Sequence, residues 1–280
     1  MRFAPLLFVL LWSTGFIGAK FGLPHADPLS FLLIRYLLVL SLMTLLALVM
    51  RAPWPRDARQ WFHIGVSGLL VHAIYLGGVF ISISKGLPAG VASLVVGIQP
   101  LFTAVGAGWL LNEAVLARQW VGLVLGFAGV ALVVSGKLGS SFGLDALWPA
   151  LAALAGITVG TLYQKRFCPS FDWRTGAIAQ FLPTAVATGV VVALSDSFRV
   201  EWVADFIFAL AWLVLVLSLG AVSLLNILIR RGSAVNLASL FYLVPPSTAL
   251  IAWLLFDERL AGVAMTGMAL AVWGVYLARK

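Results

Sequence analysis

Trp12, Lys20, Arg35, His72, Tyr75, Gln99 and Tyr242 each place a charged or hydrogen-bonding group inside a stretch that is otherwise apolar. A polar group so placed costs free energy unless it meets a partner or lines a cavity. His72 has acid–base chemistry near neutral pH. Two roles are open to it: contact with a ligand, with protonation coupled to that contact, or a neutral imidazole bonded to a neighbouring segment. Tyr75 lies one helical turn on, on the same face. Gln99 stands directly before Pro100, which releases the Val96 carbonyl from its helical bond. The pair can offer an amide and a free carbonyl to a polar ligand, or form a tolerated kink satisfied by Ser93. Pro245 and Pro246 repeat this arrangement, with Tyr242 and Ser239 shortly before them. Trp12, followed by Ser13 and Thr14, serves either helix packing or a cavity wall. Lys20 and Arg35 sit toward the ends of their stretches, where long cationic chains snorkel to water, attract a carboxylate or guard an opening.

What is missing matters as much. None of the ten Asp and Glu residues lies in the middle of an apolar stretch, so no buried carboxylate relay is available. H-E-x-x-H and paired buried aspartates are absent, and Gly136-Lys137 lacks the glycine spacing and the Ser/Thr of a phosphate-binding loop. No metal set, no cofactor site and no nucleotide-hydrolysing domain is expected, and the chain does not read as an enzyme. Glu113 and Glu258 close apolar stretches, followed by Arg118 and Arg259. A carboxylate at a helix C-terminus opposes the helix dipole, so an arginine or a neighbouring helix's N-terminus must offset it. These glutamates read as structural corner pins.

The elements that carry these residues are set by composition. The chain has 280 residues, 62% hydrophobic and only 10% charged, against roughly 25% charged in a soluble domain. Lipid must therefore be the solvent over most of it. The net charge of +8 lies between apolar segments, where basic residues determine topology, so no nucleic-acid partner is expected. A single cysteine, Cys168, leaves no intrachain disulfide. Arg2 followed by an apolar run resembles a signal peptide. That run is nevertheless the repeat partner of residues 151–164, and no small-x-small site follows it, so a retained helix is expected.

About 20 apolar residues cross a bilayer core. Breaks at charges, Pro and Gly give spans at 3–20, 29–50, 61–84, 88–111, 119–136, 144–165, 175–195, 206–229, 234–256 and 260–278. In the third span, a rise of 1.5 Å per residue from Trp61 puts His72 roughly 16 Å deep, near the midplane. Shifted by 145 residues, the chain matches itself without a gap: Gly15 meets Gly160, Lys20 meets Lys165, Asp27 meets Asp172, Pro100 meets Pro245, Glu113 meets Glu258, Gly122 meets Gly267, and Gly129 meets Gly274. Residues 1–140 and 141–280 thus read as two five-helix repeats. An odd number of spans makes the second copy enter from the other side, the layout of a carrier built around a pseudo-twofold axis. With the N-terminus inside, 12 Lys and Arg lie on the cytoplasmic side and 5 on the other, with Arg35 within a span. Both termini are expected in the cytoplasm of a cell whose inner membrane holds the chain. Glycine stripes at Gly122, Gly126 and Gly129, and at Gly267 and Gly274, suit close packing, with each other or across a dimer. No oligomeric state follows.

The ordered set Trp12-Ser13-Thr14-Gly15-Phe16, Lys20, Arg35-Tyr36, Ala92-Ser93-Leu94, Pro100 and Asn112-Glu113 resembles the drug/metabolite transporter superfamily in its EamA-like branch of ten-helix exporters. Its second-half counterparts, Ala238-Ser239-Leu240, Pro245 and Asp257-Glu258, extend the resemblance over essentially the whole chain. It implies a central cavity lined by the first, third, fourth, sixth, eighth and ninth spans and opened alternately to either side. It further implies export of amino acids or other small metabolites, or, as in distant relatives, exchange of nucleotide-sugars or phosphosugars. Trp12, His72, Tyr75, Gln99, Tyr242 and Ser239 are the expected substrate contacts, and Pro100, Pro245, Pro246, Lys20 and Arg35 the expected hinges or gates. Ile157 and Gln180 replace Trp12 and Arg35 in the second half, so the two walls should differ. The inverted layout has a direct check. In a Cys168→Ser background, Ser140→Cys should react with a membrane-impermeant thiol reagent in intact cells, and Arg56→Cys only after permeabilisation. The reverse pattern would invert the orientation.

Overall fold

In a computed structural model, residues 3–87, 89–135, 143–168, 170–195, 198–256 and 262–279 are described. They form an all-helical bundle, and the one extended pairing among them is a bridge between Ala26 and Val200. We number the helices α1 (Ala4–Gly22), α2 (Pro28–Val49), α3 (Ala58–Ser84), α4 (Ala89–Val96 continued by Gln99–Leu110) and α5 (Ala117–Ser135). The second half holds α6 (Leu144–Phe167), α7 (Trp173–Ser195), α8 (Ala204–Arg231), α9 (Ala234–Ser239 continued through Leu240–Leu243 to Val244–Phe256) and α10 (Gly262–Arg279). Nine are long and apolar enough to cross a bilayer, and the tenth, in α5, is shorter at Ala117–Val133. Large side chains such as Leu48, Trp109, Val186 and Leu254 point outward. In water such a surface would aggregate; in lipid it is the ordinary exterior.

Local sequence sets the ends. Asp57 caps α3 by accepting from the Gln60 N–H at 2.7 Å, while the Gln60 side chain accepts from the Arg56 N–H at 2.7 Å. Ser233 caps α9 by accepting from the Asn236 N–H at 3.1 Å. The Asp57 and Ser233 caps each satisfy an amide that the first helical turn leaves without a partner. Asp27 and Asp172, 145 residues apart, accept through their carbonyls from Phe31 and Gly176 at 2.9 and 2.8 Å.

The departures from regular helix also recur. α3 widens to a π-helical stretch at Leu69–Leu76 and α8 does so at Leu213–Ala221. The two end in register and differ by one residue at their start. α4 breaks at Gly97-Ile98, and α9 tightens to a 3₁₀ turn over the corresponding Leu240–Leu243. Pro100 and Pro245-Pro246 then fall in the first turn of the resumed helices. A missing N–H costs nothing there. The expected mid-helix kinks are therefore helix restarts, and the discontinuity lies just before each proline.

Packing follows the same operation. α1 packs on α8 and α9, as α6 packs on α3 and α4; α2 lies on α7 and α5 on α10. In the last pair a Cβ on Gly122 would fall 2.6 Å from the Gly274 carbonyl oxygen, and one on Gly267 would fall 2.6 Å from that of Gly129. Exchanging the two helices maps one contact onto the other, so α5 and α10 run antiparallel about a local twofold across their axes. The glycine stripes pair with each other inside one chain, and close backbone approach without a hydrophobic drive is what small residues permit in lipid. Gly274→Val would drive a branched side chain into the Gly126 backbone, 2.3 Å from its nitrogen. Overpacking of this kind costs about 1–3 kcal/mol or more. It should lower the thermal midpoint of the detergent-solubilised protein well beyond the effect of Val272→Ala, an exposed site on the same helix.

Candidate functional site

Both π-helical stretches, together with α1 and α2, contribute to the wall of a chamber. Its wall includes Trp12, Phe16, Arg35, His72, Tyr75, Phe80 and Leu217. His72 and Leu217 are 145 residues apart, so equivalent positions of the two halves meet there with unlike chemistry. A π turn redirects the side chains that follow it, and such turns often mark functional sites. Here it brings His72 and Tyr75 inward. The Tyr36 hydroxyl donates to the His72 carbonyl at 2.7 Å and so satisfies the widened turn. The His72 ring stacks on Phe181 at 4.2 Å, and Trp12 lies parallel to Tyr75 at 6.3 Å. Arg35 is only 1% exposed, so it does not snorkel to water as its place near a span end allows. Its Nε donates to the Ser218 hydroxyl at 3.1 Å. Both terminal guanidinium nitrogens, and both His72 ring nitrogens, are buried with no hydrogen-bond partner among the described residues.

The chamber measures about 30 Å³, room for about two waters. Groups of different character lie on its two sides. Toward the face where α1 begins, Gln164 donates to Asn226 at 2.9 Å, Asn226 to Gln180 at 3.4 Å, and Gln180 to Gln164 at 3.2 Å. Gln180 also donates to Ser67 at 3.1 Å. This ring of amides joins α3, α6, α7 and α8. Toward the other face, Phe31 contacts Phe80 and Phe206 with ring centroids 5.6 and 5.0 Å apart, joining α2, α3 and α8.

The other expected contacts lie elsewhere. Gln99 lines a smaller void of about 10 Å³ with Thr103, Thr161 and Lys165, and its side-chain oxygen is unpartnered among the described residues. Tyr242 is fully buried with its ring against Gly126 of α5. The Ser239 hydroxyl donates to the Asn236 carbonyl at 3.0 Å, within its own turn. Ser13 and Thr14 hold α1 to its neighbours: Ser13 donates to the Val244 carbonyl at 3.3 Å, and Thr14 accepts from the Trp212 indole at 2.9 Å. Lys20 is described only as a backbone position in α1, and Glu258 lies outside the described residues. Ser67 and the amide role of Gln180 went unremarked in the sequence. The available signal was that Gln164, Gln180 and Asn226 are amides within apolar spans.

Residues 3–135 match the EamA-like transporter family. Over that stretch the chain is similar to the EamA-like transporters. Its relatives cover nearly its whole length. The transporter YvbV of Bacillus subtilis (strain 168) is 28% identical over 96% of this chain and 88% of that protein. A protein of Escherichia coli (strain K12) named as a probable amino-acid metabolite efflux pump is 26% identical over 97% of this chain and 92% of its own length. The inner membrane transporter YedA of the same strain is 26% identical over 99% and 92%. One solved crystal structure superposes with a TM-score of 0.80 at 21% identity, covering 98% of this chain and 94% of that one. The fold is thus shared well beyond the matched half. The protein is a multi-pass membrane transporter and not an enzyme.

In this protein Glu113 ties four helices at the face where α1 begins. Its carboxylate meets Lys165 of α6 at 3.0 Å and accepts from the Ala234 N–H at 2.9 Å, at the start of α9. Lys165 in turn donates to the Gly232 carbonyl between α8 and α9. A carboxylate on a helix N-terminus is stabilised by the amides it faces, so α9 and Lys165 offset the penalty of ending α4 on an acid. Glu113→Ala should cost about 1–2 kcal/mol, between an exposed and a buried ion pair. Glu113→Gln should cost less, since an amide oxygen still accepts from Ala234. Thermal unfolding in detergent orders the two.

Proposed function

We propose that this protein is a secondary active exporter of small metabolites, amino acids and related amphipathic solutes foremost, working by alternating access. The observation that carries the proposal is a midplane chamber with unpartnered polar atoms, bracketed by two seals on opposite sides. A chamber of this size is an occluded space; a metabolite enters only when one seal parts. The efflux pump of Escherichia coli, named for amino-acid metabolites, aligns along nearly the full chain and supports that substrate class. In this reading residues 1–140 and 141–280 move as two inverted halves, both termini lie in the cytoplasm of the inner membrane, and the helix discontinuities before Pro100 and Pro245 are the flexible points. His72, with neither ring nitrogen partnered among the described residues, contacts the solute, and any proton coupling runs through it. Among the described residues the wall offers a single cation, a poor match for a nucleotide-sugar with several negative charges.

The decisive experiment is counterflow in proteoliposomes: vesicles preloaded with unlabelled L-leucine should accumulate labelled L-leucine transiently, and His72→Ala should reduce the rate strongly. Efflux without counterflow would indicate a channel. Absence of both across a panel of amino acids and organic acids would remove the carrier reading. The seals have their own check. With Val71→Cys as a reporter in the chamber wall, Gln180→Ala should speed thiol labelling from the cytoplasmic side, whereas Phe31→Ala should speed it from the outer side.

A further inference from the structure

Arg35 carries a charge that no described residue answers. Guanidinium remains protonated at any physiological pH. A buried charge is tolerated when paired, and is strongly destabilising when its partner is missing. Around Arg35 the described residues provide a neutral hydroxyl on Nε, from Ser218, and nothing on Nη1 or Nη2. No carboxylate is at hand among them. Asp145 and Asp205 sit in the first turns of α6 and α8, and Asp27, Asp57, Glu113, Asp172 and Glu201 lie at helix ends or in loops. Sequence position puts Asp196, Asp257 and Glu258 at span ends as well.

The symmetry-related residue makes the contrast plain. Gln180 of α7 stands where Arg35 stands in α2, and it is satisfied by Gln164, Asn226 and Ser67. The neutral member of the pair closes a network, and the charged member is left open toward the chamber. The two free nitrogens form the planar fork that fits both oxygens of a carboxylate. Around the fork the wall is apolar and aromatic, with Trp12, Phe16, Tyr75 and Phe80.

From this geometry we infer that Arg35 is the carboxylate-binding residue of the transport chamber, and that the solute carried is a small organic monocarboxylate with an apolar body. The inference rests on the carrier reading and adds its recognition element. For an amino acid the carboxylate sits on the Arg35 fork, and the ammonium group is left to the aromatic faces of Trp12 and Tyr75 and to a free nitrogen of His72. The incoming anion supplies the missing counter-charge, so the loaded chamber is less costly to close than an empty one.

Three variants and three matched probes test this. In wild-type vesicles L-leucine and 4-methylvalerate should compete for leucine counterflow, and L-leucinamide should compete about tenfold more weakly or worse, as the loss of a charge-assisted hydrogen bond requires. Arg35→Lys should keep the preference for the acid at lower affinity, and Arg35→Gln should lose it. Arg35→Met should abolish counterflow, yet leave the ligand-free protein at least as resistant to heat as wild type, because removing an unanswered buried charge relieves it. A clear drop in the ligand-free stability of Arg35→Met would make Arg35 a structural residue and overturn the proposal. So would equal competition by acid and amide, unchanged preference in Arg35→Gln, or chloride alone reproducing the effect of the acids. Wild-type vesicles that move none of the probes sink the carrier reading itself, whereas transport that ignores the carboxylate sinks only this assignment.

Discussion

In lipid an unpaired backbone amide or carbonyl has no water to turn to, and this one constraint arranges the rest of the structure. It makes every span a helix and confines irregular backbone to places covered by other helices. The break at Gly97-Ile98 and the 3₁₀ turn over Leu240–Leu243 are both covered by protein. Widened helix is subject to the same demand: the Tyr36 hydroxyl supports the His72 carbonyl, and Ser218 bonds back to the Leu213 carbonyl at 3.0 Å. Because irregularity can survive only inside, the interior is also where side chains are redirected and where a chamber can form. The location of the site is thus a consequence of solvent physics before it is one of substrate chemistry.

Much of this was legible in the sequence. Apolar runs broken by charge fix the spans to within a few residues, and the ungapped shift of 145 residues identifies which elements are equivalent. The glycines at positions 122, 129, 267 and 274 were recognisable as packing surfaces, although which surface they met was not. The chamber itself was only partly legible. Trp12, His72 and Tyr75 line it, whereas Gln99, Tyr242 and Ser239 occupy other surroundings. Spacing assigns a helical face only while the helix is regular. Past the break in α4 and the tightened turn in α9 the face rotates by an amount that no periodicity encodes. Arg35 escapes a sequence reading for a related reason: distance along a helix predicts depth, but not whether the side chain turns to water or to the interior. Its 1% exposure is a property of the packing of α2 against α7 and α8.

Equivalent backbones carry unlike side chains, and the differences fall where they matter. Trp12 answers to Ile157, His72 to Leu217 and Arg35 to Gln180. A perfectly symmetric chamber would bind a ligand equally well in two opposed poses. In the proposed cycle, placing the guanidinium and the imidazole of the wall in the first half would give the solute one orientation, while the second half supplies apolar surface and the amide ring. The two seals differ in the same sense. Aromatic contacts are non-directional and can slide before they part. A closed ring of amide hydrogen bonds has a fixed geometry and opens at the cost of several bonds together. Opening toward the amide side should therefore be the more switch-like of the two transitions.

If the halves rock, some interface must stay fixed while others give way. The α5–α10 pair has the required character. Its glycine backbones approach so closely at two symmetric points that sliding would drive one main chain into the other. Among the described residues it contributes none of the chamber's wall. The helices that line the chamber, α1, α2, α3 and α8, meet differently: α1 contacts α8 through Leu213 and Leu217, flexible side chains set against Gly18 and Gly15. Leucines can change rotamer where backbone cannot move. The proposed cycle is thus built on an antiparallel glycine pair as its fulcrum, with the leucine-on-glycine seam of α1 and α8 as the surface that shears.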